Sequence, residues 1–232
     1  MWETSVVTLE AAGQAATSEL SRAALRHAAA ELAGDSSGHD PSHVVRVYRS
    51  ARDLARAEGA QMEKVEIIAA LHDLKDFKFT GDTTTGPRAA REWLLANGAD
   101  ETLAAGVADD IAGISFKGAG TPLQPLSLEG ACVQDADRLD ALGAIGVARC
   151  FAYGGFVGRP LFDPTVPTVE HTSVESYLKT QGTSLNHFHE KLFLLRSRMN
   201  TATAKGIADA RHEFMERFVA QFLDEWNGEG QR

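Results

Sequence analysis

The sequence predicts an all-α fold. Apolar residues recur at three- and four-residue spacings through most of the chain, no run alternates apolar and polar residues for long, and no glycine-rich turn joins β-branched segments. A first helix is expected over about residues 7–33. A second, over 41–58, opens with Asp40 as N-cap and Pro41 at the first helical position, and aligns Val44, Val47, Tyr48, Ala51, Leu54 and Ala55 in one stripe. The apolar segment VEIIAALHD sits in a helix over 61–74, and helices over 87–97 and 100–114 follow. A long Ala- and Leu-rich stretch, 127–151, reads as one helix, and another covers 183–199. The last, 202–226, opens on a Thr cap and keeps Ile207, Ala210, Phe214, Phe218 and Phe222 on one side.

Polar or Gly/Pro segments punctuate this pattern at 79–87 and 117–125. Residues 153–172 form the longest irregular stretch, the kind of segment that serves as a lid or is simply mobile. With no repeat, no low-complexity tract and no marked boundary, a single domain is expected over 1–232.

Composition limits the function classes. The 232 residues are 44% hydrophobic and 24% charged, enough for one sizeable core or two small ones. Against 32 acidic side chains stand 23 basic ones, a formal net charge of -9, which argues against coating nucleic acid or an anionic membrane. A phosphate-rich substrate would need a local cation. No apolar run approaches the roughly 18–20 residues of a membrane span, and MWETSVVTLE does not read as a signal peptide. Cys132 and Cys150, if joined by one continuous helix, lie about 27 Å apart, too far to bridge. A reducing, cytoplasmic setting is the expectation.

The informative residues are histidines and aspartates in three separate helices. His43 lies near the start of the helix capped by Asp40, with Arg46 one turn on. His72 and Asp73 are adjacent at the end of VEIIAALHD, and DADRLD places Asp135, Asp137 and Asp140 in a third helix. Singly, each has an ordinary explanation as a core hydrogen bond, a cap or a solvated charge. Together, inside apolar helices, they need partners, and one metal ion would satisfy them. A mixed imidazole and carboxylate set with room for water suits Mn, Fe(II), Mg, Ni or Co better than a closed structural zinc site. The His39–His43 spacing of zinc peptidases is rejected, because Pro41 intervenes and Asp40 stands where the glutamate should be. His187 and His189, two apart, would point to different sides of a helix, and the two cysteines default to core packing.

The order H…HD…D resembles the HD-domain metal-dependent phosphohydrolases. It is carried by His43 in HVVRV, His72-Asp73 in ALHDLKDFKF and Asp137 in DADRLDALGAIGVAR. GHDPSHVVRV, ISFKG and NHFHEKLFLLRSRMNTATAKGIADARHEFM extend the resemblance over about residues 25–226, to a bacterial-type branch of nucleoside triphosphate pyrophosphohydrolases. The resemblance implies an HD-domain helical bundle that holds one divalent ion, with Mn favoured and Mg, Fe, Ni or Co as alternatives. Its ligands would be His43, His72, Asp73 and Asp137, the last preferred over Asp135 and Asp140 for its A-D-x-L position. Asp76 matches a carboxylate that positions the attacking water and, with Asp73, would be catalytic, although Lys75 beside it departs from the acidic residue common in this branch. Arg46, Lys78 and Lys117 are the candidate phosphate contacts; Arg138 is weaker, offset about 100° from Asp137.

The implied function is hydrolysis of a (deoxy)nucleoside triphosphate to monophosphate and pyrophosphate. A nucleoside 5'-monophosphate phosphatase and a nucleotide phosphodiesterase are the alternatives within the superfamily, and a non-catalytic nucleotide sensor is the alternative outside it. The expected partner is a small-molecule nucleotide, with a homodimer left open, and neither nucleic acid nor membrane.

Overall fold

A computed structural model describes residues 8–33, 40–75, 82–114, 124–169 and 182–229. The described residues are helical with no strand, an all-α fold as the periodicity predicts. The chain divides into two compact units, Met1–Phe116 with Pro122–Ala136, and Lys117–Thr121 with Asp137–Arg232.

The first unit contains α1 (Leu9–Gln14), α2 (Glu19–Glu31), α3 (Pro41–Glu58), α4 (Met62–Leu71), α5 (Thr85–Ala96), α6 (Glu101–Ile114) and most of α7 (Leu128–Asp140). The single helix expected over 7–33 is two. Ser18 leaves the helical path at ψ 166 and its hydroxyl accepts from Ser21 N, so a new helix starts in the middle of an unbroken apolar phase. In α3 the predicted start is observed: Asp40 accepts from His43 N at 2.9 Å, Pro41 is at the first position, and the whole predicted stripe from Val44 to Ala55 is buried. The helix ends at Gly59, whose φ of 76 is the left-handed C-cap conformation. Apolar almost all round, α4 packs against α2, α3 and α6, as a fully buried helix must.

The start of α7 is fixed by a hydroxyl that uses all its bonding capacity. Ser127 Oγ accepts from Gly130 N (3.1 Å) and Lys64 Nζ (3.0 Å), and donates to Asp110 Oδ2 (2.7 Å). Asp110 also accepts from Ser127 N at 2.9 Å and pairs with Lys64 at 2.8 Å, so α4, α6 and α7 share one buried polar junction.

The second unit takes the end of α7, then α8 (Gly143–Phe156), a π-helical turn Phe188–Leu192, short α and 3₁₀ turns over Phe193–Leu195 and Arg196–Arg198, and α9 (Ala202–Trp226). The continuous helix expected over 127–151 is broken between α7 and α8, where Gly143 adopts φ 70. Cys132 and Cys150 are both buried and free. Likewise, 183–199 is a composite of three helix types. In α9 the expected face is corrected: Ala204, Ala208, His212, Met215 and Val219 are buried, while Ile207 and Phe214 are exposed. Small residues allow the closer helix approach, and α9 packs on α8. Phe218 and Phe222, from the expected stripe, do join an aromatic cluster with Phe151 and the fully buried Phe188.

The irregular stretch expected over 153–172 begins later, because α8 runs to Phe156; residues up to 169 are described, and hydrogen bonds tie them to the chain that follows. Ser184 N donates to Pro160 O (2.9 Å) and Leu185 N to Leu161 O (3.0 Å). Asn186 Nδ2 donates to Val166 O at 3.0 Å, and Glu190 Oε1 accepts from Val169 N at 3.2 Å. No helix among the described residues is long and apolar enough to cross a membrane.

Candidate metal centre

Two helices of the first unit bring the His and Asp residues together. Capping by Asp40 sets His43 in the first turn of α3, where it is wholly buried. His72 is the C-cap of α4 and Asp73 follows it, both buried. The imidazole of His72 donates from Nδ1 to the carbonyl oxygen of Ala69 at 2.9 Å. A carbonyl only accepts, so Nδ1 carries a proton and Nε2 is the ring nitrogen turned toward Asp73. That carbonyl lies in the last turn of α4, so the same bond satisfies one of the acceptors a helix end leaves over.

Asp73 faces one histidine with each oxygen. Oδ2 is 3.1 Å from His43 Nε2 and Oδ1 is 3.5 Å from His72 Nε2, and the rings meet edge to face at 5.5 Å between centroids. One ligand atom from each of the three residues falls within 4.8 Å of the others. The donor set fits one divalent ion on two grounds. Metal–ligand bonds of about 2.0–2.2 Å place neighbouring donor atoms about 3 Å apart. Two imidazole nitrogens and a carboxylate, all buried, are also the donor types that such an ion takes.

The turn that carries the pair is built tightly. Lys75, just beyond Asp73, has φ 51, the one non-glycine left-handed residue among those described. The first turn of α5 approaches it so closely that a Cβ on Gly86 would lie 2.8 Å from the Leu74 carbonyl oxygen.

The other predicted residues fall as follows. Asp137 is half-buried on α7, in the second unit, and Arg46 is half-buried on α3, one turn from His43. Asp76, Lys78 and Lys117 lie outside the described residues, as does His39. Asp135 is buried on α7, and Asp140 pairs with Arg149 at 2.8 Å. Arg138 donates to the carbonyl oxygen of Arg198. The sequence reading overlooked a buried charge, Glu66, in the middle of α4. Its signal was present: a glutamate inside the apolar run VEIIAAL of a helix packed on several sides is forced into the interior, and must be paired there.

A helical unit with a buried His/His-Asp cluster is the arrangement of the HD proteins, and the HD domain family matches residues 42–142. The chain belongs to the HD-domain phosphohydrolase superfamily. A crystal structure from Lactobacillus plantarum is 40% identical, with a TM-score of 0.84, covering 92% of this chain and 99% of that one. An HD-superfamily hydrolase of Bacillus thuringiensis is 39% identical with a TM-score of 0.69, covering 91% and 98%. The protein YpgQ of Bacillus subtilis is 37% identical over 191 residues, 82% of this chain and 85% of YpgQ. Its crystal structure in complex with ADP superposes with a TM-score of 0.69, at 31% identity over 89% of this chain and 94% of that one.

Proposed function

We infer that this protein is a metal-dependent nucleotide phosphohydrolase that converts a (deoxy)nucleoside triphosphate to the monophosphate and pyrophosphate. The observation that carries the reading is the buried His43, His72 and Asp73 donor set. It is supported by the relative YpgQ, crystallised with ADP, which makes a nucleotide the substrate class to test first.

The residues that would hold the ion are His43, His72 and Asp73, with Asp137 of the ADRL motif carried over from the family resemblance as a fourth ligand. A divalent ion, Mn first and Mg, Fe, Ni or Co after it, supplies positive charge to phosphoryl oxygens and lowers the pKa of water. His72 would bind it through Nε2, because Nδ1 is committed to Ala69. Asp76 orients the attacking water and takes its proton, a general-base contribution of typically ~10²–10⁴-fold. The water oxygen bonds to the α-phosphorus, the bond from that phosphorus to the bridging oxygen breaks, and pyrophosphate leaves with the electron pair. Arg46, Lys78 and Lys117 neutralise the charge of the leaving group.

The test is a product assay with Mn²⁺ on all eight common nucleoside triphosphates, separating pyrophosphate from orthophosphate, beside a His72→Ala variant. Pyrophosphate plus monophosphate, lost in the variant, is expected. Orthophosphate from monophosphates with triphosphates untouched would overturn the α-phosphorus reading in favour of a phosphatase. A nucleotide bound unchanged by wild type and Asp73→Ala alike would mark a metal-independent sensor.

A further inference from the structure

Besides the His/His-Asp cluster, the first unit holds another buried polar group on the same two helices. Glu66 is 0% exposed, among Val65, Ile67 and Ile68. Its Oε2 accepts from the backbone N of Thr17 at 2.9 Å and from the Thr17 hydroxyl at 2.5 Å, and its Oε1 forms an ion pair with Arg52, 3.2 Å from Nε but without hydrogen-bond geometry. The Arg52 guanidinium lies 5.8 Å from the centroid of the buried Tyr48 ring. Burial, and then the Glu66 carboxylate, push the Tyr48 hydroxyl well above its ordinary range. The group therefore joins α3 (Tyr48, Arg52), α4 (Glu66) and the turn before α2 (Thr17).

A buried ion pair is a poor way to gain stability, since apolar residues of similar volume do as well or better. Its best-attested use is to specify register: apolar faces tolerate sliding, whereas a carboxylate held by directional donors does not. Register matters on these helices. A slip of α4 by one residue moves its end about 1.5 Å along the axis and rotates it about 100°. The 3.1 Å approach of His43 to Asp73 could not survive that. Thr17, which donates both hydrogen bonds to Glu66 Oε2, lies outside the 42–142 span of the HD match.

We propose that Glu66, held by Arg52 and Thr17, is a positioning residue that fixes the register of α4 against α3 and so sets the spacing of His43 from His72 and Asp73 for one divalent ion. The inference rests on the metal-site reading above. The segment before the family-matched span is thus a working part of the site, contributing through Thr17.

The experiment measures Mn²⁺ affinity from the free-ion EPR signal, in the full chain, beside thermal melting. An Arg52→Met/Glu66→Met variant should keep a cooperative melt near that of wild type, while Mn²⁺ affinity falls by about tenfold or more, the scale seen when residues supporting metal ligands are lost. Arg52→Lys, which keeps a cation at Glu66, should retain most of the affinity. Thr17→Val, a milder change, should also weaken Mn²⁺ binding, and it decides the matter if the double variant does not fold. A folded double variant or Thr17→Val that binds Mn²⁺ as tightly as wild type overturns the positioning role. Wild type that fails to bind Mn²⁺ overturns the metal-site reading itself, and this inference with it.

Discussion

Replacing Gly130 by alanine separates helix propensity from packing, because the two predict opposite signs. In an ordinary helix interior the change stabilises by roughly 0.5–1 kcal/mol. Here the new Cβ would lie 2.3 Å from Asp110 Oδ1, 2.6 Å from its Cγ and 2.9 Å from its Cβ. Because the Asp110 Cβ is itself too close, rotating the carboxylate does not clear the clash, and α6 must retreat by about 1 Å to reach ordinary contact. That stretches the contacts Asp110 makes at 2.7–2.9 Å to Ser127 and Lys64. Hydrogen bonds involving a charged group are worth about 1.5–3 kcal/mol each, and overpacking alone costs about 1–3 kcal/mol. Partial loss of the set gives a net destabilisation of about 3–5 kcal/mol, a fall in Tm of about 6–20 °C for a chain of this size. Urea denaturation followed by circular dichroism measures it, with Asp110→Ala and the double variant closing a cycle. Alanine at 110 removes the Oδ1 and Cγ contacts and the bonds they strain but keeps the Cβ at 2.9 Å, so Gly130→Ala should cost less, though not nothing, once Asp110 is alanine. An equal cost in both backgrounds, or a single-variant loss below about 1 kcal/mol, would refute the reasoning.

Three further outcomes are expected. Gly86→Ala pushes against the Leu74 carbonyl beside Asp73, so Mn²⁺ affinity should fall with only a modest change in melting temperature; unchanged affinity would show that the turn yields without disturbing its ligands. Phe188→Ala removes a 0%-exposed ring that touches Phe151, Phe193 and Phe218, at an expected loss of about 3–5 kcal/mol, with Phe188→Leu recovering most of it in urea titrations. Burial pushes the thiols of Cys132 and Cys150 up to about 11 from 9.0. Unfolded thiols ionise first, so this contribution is fully present below pH 9 and is lost between about pH 9 and 11. The slope of stability against pH in that window should flatten in a Cys132→Ala/Cys150→Ala variant, and an unchanged slope would place its origin elsewhere.

What could be read from the sequence was chiefly local. The Asp40-Pro41 start and the Val44–Ala55 stripe depend on cap chemistry and on one helical period, and both are found as expected. The break at Gly143 was hidden because apolar residues continue in phase across it; only the backbone angle reveals it. In α9 the periodicity allowed neighbouring faces, and the choice between them is made by what packs against the helix, which no local pattern contains. The site divides the same way. His43, His72 and Asp73 were legible as a motif and lie together, whereas the partners that orient them, Ala69 by its carbonyl and Gly86 by its bareness, carry no chemical signature in the sequence. Glu66 was legible in principle, but judged by position its partners, Thr17 and Arg52, are remote in the chain.

The bond from His72 to Ala69 has an evolutionary consequence. Histidines that bind metals almost always donate their other ring N–H to a carboxylate, a backbone carbonyl or water, and only the first of these has an identity that mutation can alter. Here the support is a peptide oxygen, which every amino acid at position 69 would provide equally. No codon change can delete it, weaken its charge or exchange it for an anion. In the proposed site, heritable tuning toward one metal or another therefore has to run through His43, Asp73, Asp137 and their surroundings, while the tautomer of His72 stays constant for as long as α4 keeps its last turn.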